Sequence, residues 1–332
     1  MDVAVTVMTY KTRPTLWRLL YSLEKQSYKH FDVDIIFKDS EDRKRDKEIL
    51  DRIMSHKKLS IKVIKQYPGY FEEAMNTIFN ETSADILVNT DDDAYASRDW
   101  VWDHVALHKK HPKVGMATGN VIEQIDDIDG FEAGVNLFLQ RQKWRLNKHT
   151  IIDPPVSNIF KGYGKYIGKS GMMVDTGRRH NMINTIGQHG VNMSWKREAL
   201  DGFKIPGYTK TGGRNEAAAA LESLNRGMST IWFKKGVNYH PLVESQSRTL
   251  SISDFPRVVT AECVTLAYYT SKIFDTDMKT LALRTRIDDA IARIITGNKN
   301  DGYNIGYKLA KAAIKGDWTP AKLRRETKKI FD

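Results

Sequence analysis

Asp85-Ile86-Leu87-Val88-Asn89-Thr90-Asp91-Asp92-Asp93: a short apolar run feeds directly into three consecutive carboxylates. A run of this length and composition reads as a buried strand. In an open α/β sheet, ligands bind at the carboxyl ends of the strands. Adjacent carboxylates repel one another, so the cluster requires a cation or a dense hydrogen-bond network. One reading is therefore a divalent-metal site at a strand end. The other is only a turn, because Asp favours turns and helix N-caps, and Asp93 or Ser97 could cap a helix starting near Trp100.

Working outward, strands and helices alternate through the first hundred residues. Val3–Thr9 is a strand, and Leu16, Leu19, Leu20 and Leu23 follow Pro14 at helical spacing. Val33–Phe37 and Ile61–Ile64 are strands, with a charged helix over about 43–56 between them. Phe71–Phe79 is a helix leading into the strand Ile86–Asn89. This alternation predicts βαβ units and a mostly parallel sheet. Right-handed crossovers then gather Tyr10, Asp39 and Asp91–Asp93 at one edge.

Further along, Val114–Val121 reads as one strand and residues 151–190 as long loops rich in Gly, Pro and basic residues. Gly190–Leu200 is a strand-to-helix transition, Glu216–Arg226 a helix, and Ile231–Phe233 and Gly236–Tyr239 are strand-like. After about residue 251 only helical periodicity remains, over 255–274, 278–295 and 303–315.

The 332 residues suffice for a large core, and the composition is 41% hydrophobic and 28% charged. No run reaches the roughly 18 apolar residues of a membrane span. The start Met1-Asp2-Val3 enters a strand without a signal-like segment. Cys263 is the sole cysteine, which excludes an intrachain disulfide and a cysteine-based zinc site. A reducing cytoplasm is the expected setting. The net charge of +11 fits nucleic acid, an anionic membrane surface or phosphate-bearing substrates, and does not choose among them.

Five stretches, in order, resemble the family 2 glycosyltransferases. Val7-Met8-Thr9-Tyr10 leads into Arg13-Pro14 and on to Gln26-Ser27-Tyr28; Asp39-Ser40, Ala74-Met75-Asn76, Asp91-Asp92-Asp93 and Gly190–Leu200 follow. The resemblance spans residues 3–241. It implies a GT-A fold: a mixed, mostly parallel α/β sheet flanked by helices, here with a helical C-terminal extension. The expected organisation is a catalytic domain over 1–250 and a basic extension over 251–332. The catalytic domain would have a donor half at about 1–120 and an acceptor half at about 121–250.

The resemblance also implies roles. Asp91 and Asp93 would ligate Mn²⁺ or Mg²⁺ on a nucleotide-sugar diphosphate, with Asp91 nearer the ribose or sugar and Asp92 either among the donor-binding residues or simply pointing away. His240 stands where the family often places a third, imidazole ligand; otherwise it is a strand-end His bonded locally. Asp39 would accept a hydrogen bond from base or ribose, or only start a turn. Thr9, Tyr10 and Arg13 would border the donor.

The family's Glu-Asp base pair is replaced by Asn215-Glu216. Glu216 has the chemistry of a base and Asn215 does not, although Glu216 could serve only as a partner of the helix dipole. Glu222 lies nearly two turns further along.

Weaker clusters remain. His104, His108 and His111 share one helical face, which reads as solvated rather than metal-binding. Arg178, Arg179 and His180 could grip phosphate or an anionic acceptor, or be an exposed basic loop. Trp144 could stack a sugar or base, or pack in the core. Gly212-Gly213 offers hinge freedom for a lid. Across 299–332 Lys and Arg outnumber Asp and Glu. That region could contact an anionic membrane peripherally, contact DNA or RNA, or simply pack on the catalytic domain.

The expected activity is metal-dependent, inverting sugar transfer from a UDP-, GDP- or TDP-sugar to a hydroxyl of a lipid, glycan, protein or nucleic acid. Rival readings are a nucleotidyltransferase and a non-catalytic nucleic-acid-binding protein. Residues 8–15 lack the glycine run expected of the first rival.

Overall fold

In the first strand Val3, Val5 and Val7 share one face and Ala4, Thr6 and Met8 the other, and both sets are buried, so the sheet requires cover from both sides. In the computed structural model, which describes residues 1–10, 15–124, 149–178, 180–241, 254–296 and 301–331, that cover is two helical layers. The first half runs β1 (Val3–Tyr10), α1 (Thr15–Glu24), β2 (Asp32–Lys38), α2 (Arg43–Met54), β3 (Ile61–Lys65), α3 (Phe71–Glu81) and β4 (Ile86–Asp91). β1 pairs in parallel with β2 and β4, and β2 with β3, as the alternation requires.

The chain continues through β5 (Tyr95–Ala96), α4 (Trp100–Lys110), β6 (Val114–Thr118), β7 (Val121–Gln124), α5 (His149–Ile152), β8 (Lys165–Ile167), β9 (Met173–Asp175) and β10 (Met182–Asn184). Then come β11 (Met193–Lys196), α6 (Arg197–Leu200), α7 (Asn215–Asn225), β12 (Ser229–Phe233) and β13 (Asn238–Pro241). The large sheet has the order β10-β12-β6-β11-β4-β1-β2-β3, with β11 inserted antiparallel between β4 and β6. A small sheet, β5-β13-β7, and a β8–β9 hairpin complete the strands. This mixed, mostly parallel sheet between helices is the GT-A architecture.

The pleat sorts the core. Val5, Val7, Ile35 and Val88 face the leucines of α1 and Trp100, Val101 and Val105 of α4. Met8, Ile36 and Leu87 face Met75, Ile78 and Phe79 of α3 and Leu221 of α7. Asn76, matched in the sequence to the family's Asn, clamps α3 to the 201–208 segment: it donates to the Ile205 carbonyl (3.0 Å) and accepts from its N–H (2.7 Å).

Three expectations are corrected. Residues 114–121 are not one strand. The chain leaves the large sheet at Gly119-Asn120, where a Cβ on Gly119 would stand 2.3 Å from the Gly236 carbonyl oxygen, and enters the small sheet as β7. Residues 151–190 are not only loops: β8, β9 and β10 lie there, each three residues long and too short to show periodicity. Nor do the α4 histidines form a solvated face. His104 and His108 are buried and share the Ser194 hydroxyl at 2.7 and 2.9 Å, while His104 Nε2 meets Asn192 Oδ1 at 3.0 Å.

Four helices follow the strands among the described residues: α8 (Asp254–Thr270), α9 (Met278–Thr296), α10 (Gly302–Lys315) and α11 (Pro320–Phe331). They pack on the sheet-bearing part. Thr270 donates to the Gly171 carbonyl (2.8 Å), buried Arg284 pairs with Asp153, and Tyr208 stacks on Tyr269 at 6.2 Å. The basic α11 buries Leu323 and Thr327 and leaves Lys322, Arg325 and Lys329 exposed. Among the described residues no helix is long and apolar enough to cross a membrane.

Burial holds the His104 pKa down to about 4 and that of His108 to about 3, so both stay neutral in the fold. The unfolded chain takes up these protons below about pH 6.5. Their contribution to stability is therefore complete above that pH and declines as pH falls towards the folded values. Going from pH 7 to pH 5 should cost about 2 kcal/mol per histidine. Urea unfolding of the wild type and of His108→Gln at both pH values checks this: the variant should lose less on the step, and equal losses would contradict it.

Candidate active site

β4 lies between β1 and β11, and its last residue, Asp91, pairs with Met8 in the β1 register. The chain then turns, with the Ala94 N–H donating to the Asp91 carbonyl at 3.3 Å. The turn reading and the site reading of the aspartates are thus compatible. Thr9, at the end of β1, donates its hydroxyl to Asp92 Oδ2 at 2.5 Å, so Asp92 is held inward on the sheet edge rather than pointing away. Asp93 is also buried, and His240 Nε2 lies 3.4 Å from its Oδ1.

The small sheet brings His240 there. β13 is paired between β5 and β7, and Asn238 ties it to the site by donating to Thr90 Oγ1 (2.9 Å) and to the Val191 carbonyl (2.7 Å). Asp91 carries the consequence of the crowding. Burial, then the charges of Asp93, Asp92 and Glu216, push its pKa up to about 7 against the opposing pull of His240.

Glu216, in the first turn of α7, is therefore close enough to act on Asp91 electrostatically. A Cβ at position 190 would stand 2.8 Å from Glu216 Oε1, so glycine there makes room for the carboxylate. Burial raises the Glu216 pKa; hydrogen bonds from the backbone N–H groups of Glu216 and Gly190, and the charges of Arg214 and Lys165, pull the other way. Arg214 precedes the helix in the left-handed region at φ 71°, which a non-glycine residue adopts only under local constraint. Glu222 pairs with Arg226 at 2.7 Å, away from the cluster.

At the next strand end, Asp39 pairs with Lys65 (2.5 Å) and Arg43 (2.6 Å), and these bonds hold its carboxyl below the usual range. Lys38 Nζ lies over the Tyr10 ring at 4.7 Å. Arg178 and His180 are exposed on the turn after β9. Arg13, Trp144 and Arg179 lie outside the described residues.

Sequence reasoning missed Lys165 and His189, whose Nζ and Nε2 are 3.4 Å apart and whose lysine acts on Glu216. Lys165 sits in one of the three-residue strands that read as loop, and His189 immediately precedes the matched Gly190 stretch. That adjacency was the available signal.

The donor set suits a hard or borderline divalent cation: carboxylate oxygens with one imidazole, at an edge where neighbouring carboxylates crowd Asp91. Among the described residues no three His, Cys, Asp or Glu side chains converge as a complete ligand group. A site completed by substrate phosphates and water needs only one or two protein carboxylates, so the residues fit that kind of centre.

The sequence model of "Glycosyl transferase family 2" matches residues 4–161. No curated protein sequence matches significantly. Among solved structures, the mannosyltransferase PcManGT from Pyrobaculum calidifontis in complex with GDP-Man and Mn²⁺ is similar at TM-score 0.53 and 17% identity, over 97% of this chain and 78% of that one. S. aureus TarS 1-349 in complex with UDP-GlcNAc is similar at TM-score 0.52 and 11% identity, over 96% and 92%. At such identities the structural likeness is one of fold. With the sequence match over residues 4–161, it marks the chain as an enzyme of the glycosyltransferase class, resembling family 2 and built on the GT-A fold.

Proposed function

We propose that the chain moves a sugar from a nucleoside-diphosphate sugar to an acceptor hydroxyl, in a metal-dependent single displacement that inverts the anomeric carbon. The observation that carries this reading is the gathering of Asp91–Asp93, His240 and Glu216 at one sheet edge, with Glu216 near enough to perturb Asp91. The GDP-Man and Mn²⁺ bound by one structural neighbour, and the UDP-GlcNAc bound by another, support the donor class.

Asp91, Asp93 and His240 would hold Mn²⁺ or Mg²⁺. When bound, the cation would offset the charge of the diphosphate and of the departing nucleoside diphosphate. Thr9 fixes Asp92 and so the shape of the turn that presents its two neighbours. Asp39 and Tyr10, at the ends of β2 and β1, border the nucleotide end of the donor.

Glu216 accepts the acceptor's hydroxyl proton as that oxygen bonds to the anomeric carbon and the bond from that carbon to the diphosphate oxygen breaks. Burial raises its pKa, which makes it a better proton acceptor than an ordinary carboxylate. Attack opposite the leaving group gives inversion, and the products are the glycoside and the nucleoside diphosphate.

Asp93→Asn should lower metal-dependent turnover of the accepted UDP-, GDP- or TDP-sugar by about a hundredfold, consistent with several kcal/mol of lost charge stabilisation. A Mn²⁺ titration of donor turnover measures this, and wild-type turnover in the variant would remove the metal assignment. Glu216→Gln should reduce transfer about a hundredfold to ten-thousandfold with donor affinity retained. Unchanged turnover would dismiss Glu216 as the base.

A further inference from the structure

The base stands at the start of a helix, and what precedes that helix decides where it points. The loop entering α7 is anchored from the C-terminal helices. Glu262 of α8 is buried, and its Oε1 accepts the backbone N–H groups of Lys210 (2.5 Å) and Thr211 (2.8 Å). Its Oε2 accepts the Gly213 N–H (3.2 Å) and the Thr211 hydroxyl. One carboxylate thus gathers four donors from three loop residues, Lys210, Thr211 and Gly213.

The neighbouring contacts act the same way. Arg214 Nε lies 3.3 Å from Cys263 Sγ, next to Glu262 on the same helix. Arg324 of α11 donates to the Thr209 carbonyl (2.8 Å) and pairs with Glu72 at 3.0 Å, and Glu72 itself accepts the Thr209 N–H at 3.2 Å. Lys210 Nζ reaches the Phe331 carbonyl at 3.0 Å.

Gly212 packs against Phe71 in the left-handed region, at φ 85°. The glycine pair that suggested a hinge therefore sits in a loop tied down on both sides. A buried carboxylate at a ring of backbone N–H groups is costly to leave unpaired, so the contact resists sliding.

We propose that Glu262 is a positioning residue for sugar transfer: by clamping the Lys210–Gly213 backbone it fixes the first turn of α7, and with it the Glu216 carboxylate beside Gly190. The helical C-terminal region then serves as part of the catalytic apparatus and not only as an appended surface. This inference rests on the reading of Glu216 as the base.

The test combines Glu262→Ala and Glu262→Gln with steady-state kinetics and amide hydrogen exchange. Expected is a fall in kcat of about tenfold to a hundredfold for Ala, as small misplacements of reacting groups produce, with Gln falling between Ala and wild type. KM for the donor should stay within about twofold, because donor-binding groups lie on other elements. Exchange should quicken at Lys210–Gly213 and leave β1 and β4 unchanged.

Unchanged kcat beside faster loop exchange, or unchanged exchange at the loop, would overturn the proposal. So would a parallel loss of donor binding, which a general structural defect produces. If Glu262→Ala does not fold, Thr211→Val removes only one donor to the carboxylate and should show a smaller kcat loss in the same direction; wild-type kcat there would also overturn it. A wild-type chain inactive with every donor would overturn the functional reading instead, which separates the two failures.

Discussion

Three carboxylates pressed together at a half-buried sheet edge repel one another, and the local structure is arranged around that repulsion. Asp92 accepts the Thr9 hydroxyl, and His240 Nε2 stands 3.4 Å from Asp93 Oδ1. Burial and the crowding push the Asp91 pKa up to about 7. Each contact draws on a different element: the end of β1, and the small sheet anchored through Asn238. The crowding of carboxylates is what makes the edge suited to a divalent cation and its diphosphate in the proposed reaction.

Much of the first half was legible because its signals are strong and local. Short strands with apolar cores separated by amphipathic helices leave few alternatives, and β1 through β4 lie where the pattern puts them. The aspartate turn was readable for the same reason: it ends such a strand. The break between β6 and β7 was not, because it depends on a backbone contact between Gly119 and Gly236, far apart in sequence. The α4 histidines misled because polar residues at helical spacing imply solvent. Here they are satisfied by Ser194 and Asn192, partners contributed by β11 and the turn before it.

Glu216 stood in a matched stretch, whereas what holds it did not. Glu262 lies in Val258-Val259-Thr260-Ala261-Glu262-Cys263-Val264, an acid in an otherwise apolar helix segment. A carboxylate in such a place must find partners, and that was a readable hint. Its partners, however, are backbone N–H groups some fifty residues away, which no side-chain pattern encodes. The positive charge of the tail also takes on a narrower meaning: Arg324 is committed to Glu72 and Glu73, while its exposed neighbours on α11 remain at the surface.

The central claim is that the Asp91–Asp93 edge and a nucleoside diphosphate together complete one metal site. Mn²⁺ binding followed by electron paramagnetic resonance, alone and with saturating UDP or GDP, tests it most directly. With only part of the coordination sphere supplied by protein, Mn²⁺ should bind weakly alone and markedly more tightly with the accepted nucleotide, which should be tightened by the same factor. Mn²⁺ affinity independent of every nucleoside diphosphate, with nucleotide binding indifferent to chelator, would contradict the account.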